Sequence, residues 1–183
     1  MKVIGILGSA RENGNTALLM QEMMKGPALK GAETKTCNLA KMDIGCCLGC
    51  GSCRKTGSCV RRDDMAGLCE EMKTADAIII GTPIYMGEMT GQLKTFIDRC
   101  YALKDSKGCS LLPAGKKLGI VITQGADIPG HYSKTPERIE YIFKGLGCLP
   151  AGIVTGIKLH DIGDVLKDEA VLKNARDIGK TLI

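Results

Sequence analysis

Between Cys47 and Cys59 the chain reads C-x2-C-x2-C-x5-C, which places four thiols within thirteen residues. Three cysteines, each two residues beyond the last, suit one compact iron–sulfur cube, because thiolates hold such clusters on short local spacings. Other chemistry uses the same residues. Zinc prefers two separated C-x2-C knuckles around a tetrahedral ion, which the overlapping triple fits less well. A thiol loop without metal and a cysteine redox switch complete the alternatives. Cys46 adjoins Cys47 and offers a substitute for it. Cys37, Cys69, Cys100, Cys109 and Cys148 mostly fall on apolar positions and read as small buried hydrophobes.

A second loop with chemical content runs Gly8-Ser9-Ala10-Arg11-Glu12-Asn13-Gly14-Asn15-Thr16. It has neither the G-x-G-x-x-G spacing of dinucleotide folds nor the G-K-[ST] ending of a P-loop. It offers hydroxyls (Ser9, Thr16), amides (Asn13, Asn15), the Arg11 guanidinium and the open backbone of Gly14, and it leads into a helix. Free N–H groups and the dipole favour an anion there. A monophosphate held without a metal fits, as does an ordinary polar turn with Asn15 as the helix cap. A third loop begins Gly81-Thr82-Pro83-Ile84-Tyr85-Met86-Gly87 and continues to Asp98 and Arg99, which read as a local ion pair. His131 and His160 are the two histidines; neither has a metal-spaced partner, and both read as surface residues, with Glu88 and Asp127 equally ambiguous.

Two of these runs resemble the flavodoxin-like family of NAD(P)H-dependent FMN reductases. T-P-I-Y-x-G-x-x-x-G-x-L-K-x-x-x-D-R, from Thr82 to Arg99, resembles its flavin-contacting loop, and G-S-x-R-x-x-G-N-T, from Gly8 to Thr16, its phosphate loop. The resemblance implies FMN, with Ser9, Arg11, Asn13, Gly14, Asn15 and Thr16 around the phosphate. Thr82, Pro83, Ile84, Tyr85, Met86 and Gly87 would lie along the ring, and Gln124, in the Thr123–Asp127 segment, on a third side. Tyr85 is the stacking residue in a chain without tryptophan, unless it packs against the end of the preceding strand. The cysteine run, followed by Asp63-Asp64-Met65, resembles the iron–sulfur flavoproteins. Carried over, that makes Cys47, Cys50, Cys53 and Cys59 the ligands of a 4Fe-4S cluster. Gly49, Gly51 and Gly57 would then let backbone N–H groups turn towards the sulfurs.

The implied activity is that of an FMN-dependent oxidoreductase passing electrons between FMN, the cluster and a carrier such as ferredoxin. No catalytic side chain is required, since the flavin ring does the hard step. The resemblance also implies a homodimer or homotetramer, with the cysteine loop near a neighbour's flavin. Two alternatives stand: an NAD(P)H-dependent FMN or quinone reductase with an empty cysteine loop, and a non-enzymatic FMN redox carrier or sensor.

These loops need a scaffold. At 183 residues the chain is expected to be a single FMN-binding domain over 1–183, with the cysteine loop inserted at about 40–62. Apolar runs predict strands at Lys2–Gly8, Glu33–Leu39, Ala75–Gly81, Lys117–Thr123 and Gly152–Thr155. Helical spacing predicts helices from Asn15, from Met65, through Leu93–Cys100, from Thr135 as cap with Pro136 first, and from about Asp164. Alternation of apolar strands with helices predicts a doubly wound, five-stranded parallel sheet in a three-layer α/β/α fold. Ligands of such folds bind beyond the carboxyl ends of the strands. The net charge of +5 comes without long basic runs, which argues against nucleic-acid binding. No apolar stretch approaches a membrane span, no signal peptide is visible, and ten cysteines in a reducing compartment point to metal or redox chemistry. A cytoplasmic protein is expected.

Overall fold

The computed structural model describes residues 1–183. Strands β1 (Lys2–Leu7), β2 (Glu33–Asn38), β3 (Ala77–Tyr85), β5 (Lys117–Thr123) and β6 (Leu149–Gly156) pair in parallel in the order β2-β1-β3-β5-β6, and the two-residue strand β4 (Glu88–Met89) pairs antiparallel with the end of β3. Without that hairpin strand the order is the flavodoxin-like 2-1-3-4-5, whose switch point lies between β1 and β3. The helices are α1 (Asn15–Leu29), α2 (Ser52–Thr56), α3 (Met65–Thr74), α4 (Gly91–Arg99), α5 (Lys134–Lys144) and α6 (Glu169–Lys180). None is long and apolar enough to cross a membrane.

Strand alternation sends successive side chains into two separate cores. Ile4, Ile6, Ile78, Ile80, Ile120 and Ile122 pack with Leu68, Met72, Phe96 and Phe143 of α3, α4 and α5. Val3, Leu7, Ala77, Ile79 and Val121 pack with Leu19, Met20 and Met23 of α1 and Leu172 and Ala175 of α6. The sheet is therefore covered on both faces. Helices α1 and α6 meet backbone to backbone at Gly26 and Gly179, where a Cβ on Gly179 would lie 2.0 Å from the Met23 carbonyl oxygen.

The sequence-based expectation of a five-stranded parallel sheet in three layers holds, and several boundaries shift. All five expected parallel strands are present; β3 in addition continues through Tyr85 and turns back into the short antiparallel strand β4. Residues read as loop are thereby drawn into the ladder, as far as Pro83 opposite Thr123. The last strand begins at Leu149 rather than Gly152; it is an edge strand, where Pro150 costs no ladder bond. The cysteine loop contains α2, too short to show a period. α5 begins at Lys134, so Thr135 and Pro136 lie within its first turn rather than opening it. The segment Asp164–Lys167 is a 3-10 turn, and α6 begins after it, with the Asp168 carboxylate accepting from the Val171 N–H at 3.1 Å.

Candidate functional site

Three loops at the carboxyl rim of the sheet converge on one small cleft of about 80 Å³. It is lined by Ser9, Arg11, Gly14, Asn15 and Thr16 after β1, by Pro83, Ile84 and Tyr85 of β3, by Thr123, Gln124 and Gly125 after β5, and by Leu159. Gly14 is the N-cap of α1 in an extended conformation; no side chain caps the helix and no acidic residue lies in its first turn. The first N–H groups of α1 thus open onto the cleft without a competing carboxylate, a ready seat for an anion. Asn15 is not the cap. Its amide instead donates to the Asp161 carbonyl at 2.8 Å and accepts from the Gly163 and Val165 N–H groups at 3.0 and 3.2 Å, fastening the segment after β6.

The floor of the cleft is braced by buried hydroxyls. Thr16 Oγ1 and Thr123 Oγ1 are 2.6 Å apart. Thr90 donates to the Gly8 carbonyl at 2.6 Å and accepts from the Leu93 N–H at 3.3 Å as cap of α4, while Thr82 Oγ1 accepts from the Thr90 N–H at 3.2 Å. Gly8 is needed at this crossing, since a Cβ there would stand 2.9 Å from that of Leu93. Sequence reasoning passed over Thr90; a threonine directly before a helix and four residues before a lysine on its face was the available signal. The Gln124 amide is occupied locally, donating to the carbonyls of Ala126 and Ile128 at 3.2 Å each.

The remaining candidates of this group lie around the cleft rather than in it. Asn13 is exposed. Thr82 is fully buried and serves the bracing just described. Met86 and Gly87, both at positive φ (49° and 85°), form the tip of the β3–β4 hairpin. Met86 is fully exposed and Tyr85 about half exposed (49%), so Tyr85 is not packed against the strand end. His160 lies over Gly125, with ring atoms 3.2 Å from where a Cβ would stand. Glu88 pairs with Arg138, and Asp127 with Lys158 at 2.7 Å.

The cysteine loop forms a second, separate cavity of about 450 Å³. Cys47, Cys50, Cys53 and Cys59 all line it, together with Leu48, Arg61, Asp98 and Tyr101. Cys46 does not; its sulfur lies 3.9 Å from the Thr95 hydroxyl on α4. The Gly49 N–H points at the Cys47 sulfur at 3.5 Å. The amide and hydroxyl of Ser52 hold the Cys50 thiol below its usual range. The core thiols behave oppositely, as burial pushes Cys69 and Cys148 up to about 11. Cys37 and Cys100 are buried too, while Cys109, read as apolar, is exposed. Nowhere do three His, Cys, Asp or Glu side chains converge tightly enough for a single metal ion.

The loop is hung from one buried ion pair. Arg99, at the end of α4, donates Nη1 to Asp63 Oδ2 at 2.6 Å and Nη2 to Oδ1 at 2.8 Å, and Nη1 also reaches the Gly45 carbonyl at 2.7 Å. Asp63 in turn accepts from the Gly45 N–H at 3.1 Å. The two ends of the cysteine loop are thereby closed against each other. The side chains are 2% and 7% exposed, and the Arg99 guanidinium holds the Asp63 carboxyl below the usual carboxylate range. The expected local pair of Asp98 with Arg99 does not form, because on a helix neighbours in sequence point apart; Asp98 pairs with Lys94 one turn back, at 2.6 Å. The chain has three buried side-chain polar atoms without a hydrogen-bond partner, the Nε atoms of Arg54, Arg61 and Arg99, and all three arginines border this loop. Such orphans are costly in a folded protein, and Arg61, the one of the three that lines the thiol cavity, fits a group there that is anionic and rich in acceptors.

A larger groove, about 780 Å³, lies between β2 and α3. Its charged residues serve one another, as Glu71 pairs with Lys2 and Lys35.

Comparison with known proteins agrees with this geometry. Residues 1–134 match the family model described as NADPH-dependent FMN reductase. An iron-sulfur flavoprotein of Methanocaldococcus jannaschii is 34% identical over 98% of this chain and 94% of its own length. An iron-sulfur flavoprotein of Archaeoglobus fulgidus is 33% identical over 100% of this chain and 79% of its own. The solved NAD(P)H:quinone oxidoreductase from Methanothermobacter marburgensis superposes with a TM-score of 0.76 at 16% identity, covering 100% of this chain and 99% of that one, and so shares the fold. A phosphate-type cleft at the rim of a 2-1-3-4-5 sheet, matched sequences and a thiol-lined cavity together place this chain in the NADPH-dependent FMN reductase family, in its iron–sulfur flavoprotein branch, as an FMN-dependent oxidoreductase.

Proposed function

We propose that this protein passes electrons between FMN, a 4Fe-4S cluster on Cys47, Cys50, Cys53 and Cys59, and a one-electron carrier such as a ferredoxin. One observation carries the cluster: the four thiols line a single cavity together with Arg61, whose buried Nε has no hydrogen-bond partner. When bound, FMN supplies one- and two-electron chemistry, and the cluster takes electrons one at a time.

The chain's own part is to bind and orient. Ser9, Arg11, Gly14, Asn15 and Thr16 form the phosphate seat, with Asn13 exposed at its edge, Arg11 as the charge and the start of α1 as donor. The cleft of about 80 Å³ admits a phosphoryl group but not a tricyclic ring, so the ring belongs on the open rim formed by Pro83, Ile84, Tyr85, Met86 and Gly87, braced from beneath by the buried Thr82, with Gln124 across from it. Residues 1–183 act as one FMN-binding domain into which the cysteine loop is inserted. Tyr85, Met86 and Ile128 are exposed apolar side chains near this rim; a second copy of the chain covering them, in a homodimer or homotetramer, would shield the flavin.

Protein prepared without oxygen tests this reading through its absorption spectrum and its iron, sulfide and flavin content. About four iron and four sulfide per chain beside FMN are expected. A second reading follows from the exposure of Met86 and Tyr85, which leaves the rim open to a nicotinamide: an NAD(P)H-dependent FMN or quinone reductase with an empty cysteine loop. Rapid flavin reduction by NAD(P)H in iron-free protein would select it. A colourless preparation that takes up neither flavin nor iron would refute both.

A further inference from the structure

The orphaned arginines also bear on how the cysteine loop works, provided that the four thiols hold an iron–sulfur cluster as proposed above. Arg99 is 2% exposed; its two terminal nitrogens are taken by Asp63 and Gly45, and Nε is left without a partner. Its Nη1 bond to the Gly45 carbonyl sets it against the cysteine loop. Arg61 lines the thiol cavity and lies so close over Gly45 that a Cβ there would stand 2.5 Å from its Nη1. Arg54 follows Cys53 directly; it donates Nη2 to the Ser106 carbonyl at 3.0 Å and sits 5.1 Å from the centre of the Tyr101 ring. The Nε atoms of both are likewise buried and unpartnered.

We propose that Arg99, Arg61 and Arg54 form a guanidinium collar that donates N–H groups to the sulfurs of the cluster and makes it easier to reduce. Thiolate ligation leaves such a cluster anionic, and each added electron increases that charge. Donors and cations beside the sulfurs therefore stabilise the reduced form more than the oxidised one. Guanidinium stays protonated throughout the working range, so the bias does not switch off with pH. Asp98, on the cavity wall, opposes the collar, but Lys94 pairs with it. The Arg99 charge is balanced by Asp63, so Arg99 acts mainly through its N–H dipole, whereas Arg61 contributes charge as well. Arg99 is here a positioning and tuning residue that acts through the cluster's ligands.

The test is an anaerobic redox titration of the iron-loaded protein with dithionite, a one-electron addition per cluster, on the natural chain and on Arg99→Lys, Arg61→Gln and Arg54→Gln. Each variant is expected to keep its iron and to hold the added electron more weakly, Arg99→Lys and Arg61→Gln by about tenfold, which is about 59 mV for a one-electron couple. Unchanged potentials in variants with full iron would overturn the collar. Should Arg99→Lys fail to fold, pulsed EPR on natural protein labelled with ¹⁵N-arginine decides: coupling of an arginine nitrogen to the reduced cluster supports the proposal, and its absence removes it. Natural protein that takes up no iron defeats the cluster reading itself, and that outcome is told apart from failure of the collar by the iron assay.

Discussion

The loop after β1 is held by main chain and buried hydroxyls: the Gly8 N–H donates to the Gly81 carbonyl at 2.8 Å, Thr90 clasps the Gly8 carbonyl, and Thr16 meets Thr123. The loop after β2 is held by side-chain charge, with Arg99 and Asp63 closing its ends and its thiols lining a cavity without converging. The first is an extension of the sheet and stands ready before any ligand arrives. The second is a long connection that owes its shape to one ion pair and whatever its sulfurs hold. Helix α4 ties the two together. Thr90 caps its start at the cleft and Arg99 ends it at the cysteine loop, nine residues or about 13 Å apart along the axis.

If the sites are separable in this way, the sharpest break is Cys53→Ser. It is expected to abolish cluster absorption entirely while FMN binding persists; simultaneous loss of both chromophores in the spectrum would show that the loops depend on each other. Next in size is Asp63→Ala, which leaves Arg99 buried without its counter-charge and should cost about 3–5 kcal/mol. Denaturant unfolding would read the loss, with iron retention falling alongside. Thr90→Val tests the opposite side. It removes a helix cap and strands the Gly8 carbonyl, for about 2–4 kcal/mol, and should weaken flavin binding more than iron binding, as flavin titration and iron assay together would reveal. Arg11→Ala combined with Thr16→Ala is expected to lower FMN affinity by about ten- to a hundredfold, the worth of a charge-assisted hydrogen bond; an unchanged dissociation constant would remove these residues from the phosphate seat.

The smallest effect concerns pH. The Asp63 pKa is depressed in the folded protein by Arg99, against an unfolded value of about 3.9. Its contribution is therefore fully present above that value and is lost as pH falls through the lower, folded one. The stability difference between the natural chain and Asp63→Asn should be constant from neutral pH to about pH 5 and shrink only below about pH 4, which thermal midpoints across that range would show.

Much of this was legible in the chain. Continuous apolar runs such as Ile78–Ile80 could only be strands covered on both faces, and the spacing of Met65, Leu68 and Met72 fixed a helix, because both periods are local properties of the backbone. The thiol spacing from Cys47 to Cys59 and the polar run from Ser9 to Thr16 marked both loops for the same reason. What a local pattern lacks is the identity of a distant partner. Asp98 and Arg99 looked like each other's counter-ions, but helical geometry sent one to Lys94 and the other 36 residues back to Asp63. Asn15 looked like a cap and became a tether to a segment some 146 residues on. Of Cys46 and Cys47, alternatives in the sequence, Cys47 lines the cavity while Cys46 turns towards α4. Residue type and spacing thus determined which chemistry the chain carries. Which groups face it, and which buried nitrogens stay unsatisfied beside it, was decided only when the sheet brought separate loops to one rim, since burial and pairing are properties of the packed molecule and not of any segment.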